Sequence, residues 1–125
     1  MAAILDSSVW FDYFLGKPWA KKFKSLVDSN ETILISSVNL IEVYSKYLLK
    51  NPDEAEEKKN FMLSRCKLVE VNKEIALEAS ELKSKHSLAL ADSIILATAR
   101  LNNAKVLTFD SDFIGLQGVE VIKRR

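Results

Sequence analysis

Residues 2–15, Ala2-Ala3-Ile4-Leu5-Asp6-Ser7-Ser8-Val9-Trp10-Phe11-Asp12-Tyr13-Phe14-Leu15, set a four-residue apolar run against one acid and two serines and then resume as an aromatic-rich segment. The run reads as a short strand, and Ser7 to Leu15 as a helix ended by Gly16-Lys17-Pro18. Working outward, the same alternation returns. A helix is expected from Trp19 to Asp28, then a strand from Thr32 to Ile35, with Ser36 or Ser37 capping a helix through Val38 to about Leu49. Asn51-Pro52-Asp53 breaks that helix. Glu54 to Ser64 reads as a charged helix, Leu68 to Val71 as a strand, and Lys73 to about Lys85 as a helix with Ile75, Leu77, Ala79 and Leu82 on or near its inner face. Ser87 can cap the apolar helix that follows. Val106 to Thr108, a one-turn helix after Ser111, and Val119 to Ile122 complete the chain. Strands alternating with helices through short loops predict an α/β fold with a parallel sheet covered on both faces.

The 125 residues, 48% of them hydrophobic, suit one domain with a real core, spanning residues 1–125. No apolar run is long enough to span a membrane and no signal-peptide pattern opens the chain, so a soluble, cytoplasmic protein is expected. A single cysteine, Cys66, excludes an internal disulfide and a cysteine-based zinc cluster, and a single histidine makes a His-rich zinc site implausible. His86 reads as a helix-end residue rather than a general base. The net charge of +1 exerts no strong pull on a polyanion. One or two divalent ions in an acidic site would raise it to roughly +3 to +5, with the added charge at the site itself.

The chemistry is carried by acids in apolar company. Asp92 lies inside Leu88-Ala89-Leu90-Ala91-Asp92-Ser93-Ile94-Ile95-Leu96-Ala97, a run without Lys, Arg or His. An unpaired buried carboxylate costs on the order of several kcal/mol, so a distant base or a metal ion must compensate it. Asp6 ends the first strand, Glu42 interrupts Leu40-Ile41-Glu42-Val43-Tyr44, and Asp110 follows Val106-Leu107-Thr108-Phe109. Ligands of open α/β sheets bind beyond the carboxyl ends of the strands, and helical side chains lean toward the helix N-terminus, so all four acids can meet at one edge. Such a cluster suits Mg²⁺ or Mn²⁺ and hydrolytic phosphodiester chemistry, which needs no His or Cys nucleophile.

Each acid also has a local reading. Asp6 can be a helix N-cap, Asp110 a cap or turn residue, and Glu42 a partner of Lys46 four positions on. Asp112 can join the site or cap the short helix. Ser7 and Thr108 can orient the carboxylates or hold a metal-bound water, or serve only in turns. Candidate cations for a nucleic acid are Lys17, Lys21, Lys22, Lys46, Lys83, Lys85 and Arg100, while Lys123-Arg124-Arg125 can touch phosphate or fray. Trp10, Phe11, Tyr13, Phe14 and Trp19 read mostly as core.

Ile4-Leu5-Asp6-Ser7-Ser8, Asn39-Leu40-Ile41-Glu42-Val43, Leu90 to Ala99 and Leu107-Thr108-Phe109-Asp110-Ser111-Asp112-Phe113 together resemble the four acidic motifs of the PIN domain family, above all its small prokaryotic VapC-type toxins. The likeness runs from the first strand to Gly118-Val119-Glu120-Val121. It implies a three-layer α/β/α fold around a five-stranded parallel sheet and a Mg²⁺- or Mn²⁺-dependent endoribonuclease acting on single-stranded or looped RNA. Asp6, Glu42, Asp92 and Asp110 would be its metal-binding catalytic acids, with Asp112 helping. It further implies a homodimer, silenced by a small antitoxin protein over the acidic groove. His86-Ser87 departs from the pattern, standing where many relatives have an aromatic residue followed by Gly. A receiver domain is excluded because Val69-Glu70-Val71-Asn72-Lys73 offers no phospho-accepting Asp, and an aspartyl phosphatase because Ser7-Ser8 follows Asp6. The rival that survives is a non-catalytic interaction module of the same fold, binding RNA or a protein.

Overall fold

The computed structural model describes residues 2–125. Strands β1 (Ala2–Leu5), β2 (Ile33–Ser36), β3 (Lys67–Val69), β4 (Ala104–Thr108) and β5 (Val119–Val121) form one sheet in the order β3-β2-β1-β4-β5, with every neighbouring pair parallel. Parallel neighbours need crossovers, supplied here by α1 (Ser7–Phe14), α2 (Lys21–Val27), α3 (Ser37–Lys50), α4 (Pro52–Arg65), α5 (Lys73–His86) and α6 (Leu90–Leu101), and between β4 and β5 by a connection that holds only the 3₁₀ turn Ser111–Phe113. Alternation along the strands divides the core in two. Ala3, Leu5, Ile33, Ile35 and Leu107 face one layer of helices through Val9, Trp10, Phe23, Val43 and Met62. Ile4, Leu34, Ala104 and Val106 face the other through Ile75, Leu82, Ile95 and Leu96. The fold is the expected three-layer α/β/α arrangement.

The departures have local causes. The segment expected as one helix from Trp19 splits into a 3₁₀ turn at Pro18–Ala20 and α2. Helix α4 begins at Pro52, not Glu54, because proline at the first helical position sacrifices no hydrogen bond and the Asn51 side chain accepts from the amides of Asp53 and Glu54. On α5, Ile75, Ala79 and Leu82 are buried, but Leu77 is 63% exposed, contrary to expectation. Two residues advance a helix by about 200°, which turns Leu77 away from the face of Ile75. Ser87 does not cap α6. It closes α5 in the left-handed conformation at φ 55°, and Ala89 stands at the start of α6 without a side-chain cap. Burial pushes the Cys66 thiol up to about 12, which makes it a packing group and not a nucleophile.

Candidate active site at the carboxyl edge of the sheet

Central strands β1 and β4 are neighbours, yet β1 leads across to β2 on one side while β4 leads to β5 on the other. This is the switch point of the sheet, where a crevice opens beyond the strand ends. Asp6 and Asp110 follow those two strands directly or nearly so. Helix α3 leaves the same edge after β2, and α6, running back before β4, has its N-terminus there.

Asp6 is buried, with Oδ1 accepting from the Ser7 amide at 2.7 Å and Oδ2 from the hydroxyls of Thr108 at 2.9 Å and Ser8 at 3.2 Å. The Thr108 hydroxyl also accepts from the Asp110 amide at 3.0 Å, so one side chain ties the ends of β1 and β4 together. Asp6 is therefore both a cap of α1 and a carboxylate held from a strand 102 positions away. Asp110 caps the 3₁₀ turn Ser111–Phe113, accepting from the Asp112 amide at 2.8 Å, and Asp112 itself is exposed. Glu42 is exposed and does not pair with Lys46. Its Oε1 accepts from the Ser7 hydroxyl at 2.7 Å, while Lys46 sits 4.2 Å from the Phe11 ring centre.

Asp92 is the third residue of α6 and only half-buried; the fully buried stretch of its helix lies beyond it, at Ser93 and from Ile95 to Ala99. Its carboxyl is pushed up from 3.8 to about 6, first by burial and then by the charges of Asp6, Asp110, Glu42 and Asp112. The positive N-terminal end of α6 offsets part of that burden. Among the described residues none of the five acids forms an ion pair with a basic side chain. Unpaired carboxylates whose charges bear together on Asp92 are a donor set suited to a hard divalent cation. Among the same residues no three ligating side chains are already drawn into a cage. Mg²⁺ keeps several waters and takes one or two carboxylates at a time, so it does not require such a cage.

Residues 3–118 match the PIN domain family. The chain belongs to that family. Ribonuclease VapC6 of Methanocaldococcus jannaschii is 30% identical to this PIN domain, over 95% of each chain. A toxin-antitoxin complex from Klebsiella pneumoniae contains a chain that superposes with a TM-score of 0.80 at 28% identity, covering 95% of this chain and 96% of the other. VapBC2 from Rickettsia felis, solved bound to a DNA fragment from its promoter, gives 0.81 at 20% identity over 98% and 100% of the two chains, a likeness of fold alone.

The expected cations of this PIN domain scatter. Arg100 lies in the last turn of α6, at the opposite edge of the sheet, where it donates to the Gln117 carbonyl. Lys22 pairs with Glu120, Lys83 donates to the Leu88 carbonyl, and Lys17 sits over Trp19. Two arrangements were not foreseen. Asn39, fully buried, accepts from the Ser36 amide through Oδ1 and donates from Nδ2 to the Ser7 hydroxyl at 3.0 Å, which aims that hydroxyl at Glu42. Its place three residues after Ser36 was the one signal for it, but that spacing also describes a simple capping box. The second is at the C-terminus, where Arg124 is anchored rather than frayed: Nε donates to the Asp12 carboxylate at 2.9 Å and the guanidinium lies 4.8 Å from the Phe109 ring centre.

Proposed function

We propose that this PIN domain is a Mg²⁺- or Mn²⁺-dependent endoribonuclease of the toxin-antitoxin type, hydrolysing RNA phosphodiester bonds in the cytoplasm as a homodimer under the control of a small antitoxin protein. The observation that carries the reading is a set of five acids at the sheet's switch point that share one field without a basic partner. The 30% identity to a ribonuclease over nearly the whole chain, and the likeness to a chain of a toxin-antitoxin complex, support the substrate and the partner. Ile41, Leu48 and Leu49, which α3 leaves in solvent, are surface of the kind that protein partners cover.

Asp6, Asp92 and Asp110, with Glu42 and Asp112 beside them, would hold the cation. A divalent ion supplies an acidified water and positive charge for phosphate oxygens. The chain's own part is orientation. Thr108 and the Ser7 amide fix both oxygens of Asp6, so that its carboxylate meets a ligand without reorganising. Ser7 holds Glu42 by one oxygen and leaves the other open to the ion or to a proton from the attacking water. Cleavage of structured and unstructured RNA by wild type and Asp92→Asn, with Mg²⁺, Mn²⁺ or chelator, tests the reading. Wild type should cut with either ion and stop in chelator, and the variant should be slower by about 100-fold or more. No cleavage, or cleavage that persists equally in chelator and in the variant, would sink the proposal and favour the non-catalytic module.

A further inference from the structure

We infer that the hollow between β5 and the 3₁₀ turn Ser111–Phe113 is a second binding site for single-stranded RNA, its backbone held by the C-terminal residues Lys123 and Arg125. The inference rests on the ribonuclease reading for its choice of ligand. The hollow measures about 610 Å³ and is lined by Phe109 and Ser111, the two residues flanking Asp110, so it opens directly beside the acidic edge. Its wall is apolar, with Ile114 69% exposed to solvent, and its rim is the basic tail Lys123 to Arg125.

A basic chain end ordinarily frays and is no site. Here it is tied down. Asp12, buried on α1, accepts from the Trp19 indole N–H at 2.7 Å and from Arg124 at 2.9 Å, and Arg124 lies against the Phe109 ring. The anchor takes up the middle residue and holds its neighbours at the hollow. Lys123 and Arg125 are exposed, and among the described residues neither forms an ion pair. Unpaired cations beside an open apolar shelf suit a flexible single strand, since cations grip its phosphates and the shelf, with Ile114 in solvent, gives a base a surface to lie against. The site also answers an electrostatic difficulty. The acids repel RNA wherever no cation screens them, and two exposed positive charges on a hollow lined by the residues either side of Asp110 supply attraction near the point of approach.

The test is binding of a short fluorescein-labelled oligouridylate in chelator, where no cleavage occurs, followed by anisotropy across a salt series. Wild type is compared with the double variant Lys123→Ala, Arg125→Ala, which leaves the Arg124 anchor in place and whose melting temperature should equal the wild type's. The double variant should bind roughly 10-fold more weakly at low salt, and its log-log salt slope should be shallower by about 1.4, or about 0.7 for each phosphate that no longer has a cation against it. Equal affinity and slope in the two proteins, or no binding by wild type at low salt, would overturn the inference. So would displacement of the RNA by poly-glutamate as readily as by unlabelled RNA, which would assign the tail to an acidic protein. The two readings fail separately. A wild type that never cleaves but shows the expected weakening in the double variant keeps this site, and a cleaving wild type with an unaltered double variant keeps only the ribonuclease.

Discussion

At Asp92 a single carboxyl couples site chemistry to stability. Its proton affinity is raised from 3.8 to about 6 in the folded protein, so between those values the native state binds more protons than the unfolded chain. Stability of the metal-free protein therefore falls as pH rises through that window, and above about pH 6 the full penalty is present. The carboxyl is half exposed, so after solvent screening the penalty is on the order of 1–2 kcal/mol. Asp92→Asn should be more stable than wild type by that amount at pH 7.5 without metal, and the difference should shrink toward zero below about pH 4. Urea unfolding across pH measures both, and a variant less stable at neutral pH would refute the account. Ser7 has the opposite character. Ser7→Ala frees Glu42 and leaves the Asn39 amide without its acceptor, so RNA cleavage should slow by roughly 10-fold or more while KM for RNA holds, at a stability cost of about 1 kcal/mol. Ser7 and Thr108 were legible beside the acids because they adjoin strand ends, whereas Asn39 was hidden behind its own capping bond.

At the scale of elements, the strands were legible because β1, β2 and β4 are short apolar runs buried on both faces, and that pattern survives without knowledge of neighbours. Helix ends were less so, since backbone conformation decides them. The join between α5 and α6 is the clearest case: Ser87 looks like a cap for the helix ahead, but the chain must turn sharply and Ser87 takes a left-handed φ of 55° to finish the helix behind. A residue with a Cβ pays about 1 kcal/mol for that conformation, and glycine does not. Ser87→Gly should therefore raise the urea midpoint by an amount equivalent to about 0.5–1 kcal/mol, less what glycine loses through its freer unfolded chain, with an unchanged slope. A lower midpoint would mean that the Ser87 hydroxyl or the chain's own entropy outweighs the backbone strain. The same turn brings Asp92 into the first turn of α6, where it meets the helix dipole; read from sequence, its apolar run suggested a deeper position.

Across the whole molecule, strand order and the pairing of distant residues were the illegible part. Nothing in Asp12 or Arg124 announces a hydrogen bond across 112 positions, and nothing in β1 or β4 announces that they become neighbours at the switch point. What could be read was that acids end two strands and enter two helices, and an α/β sheet sends such positions to one edge. That convergence sets the energetics of the proposed ion. Without it, Asp92 carries the combined repulsion of Asp6, Asp110, Glu42 and Asp112. An ion that binds the native state alone stabilises it by RT ln(1 + [ion]/Kd), about 1.4 kcal/mol at ten times Kd. For a domain of this size that is a rise in Tm of about 3–6 °C, reversible by chelator. Asp92→Asn should begin from a higher metal-free Tm and gain clearly less from Mn²⁺, because one ligand is gone and part of the repulsion the ion relieves has already been removed. A calorimetric titration of both proteins at pH 7.5 separates the outcomes: equal rises would place the ion elsewhere on the surface, and no rise in wild type at millimolar Mn²⁺ would count against the cation site itself.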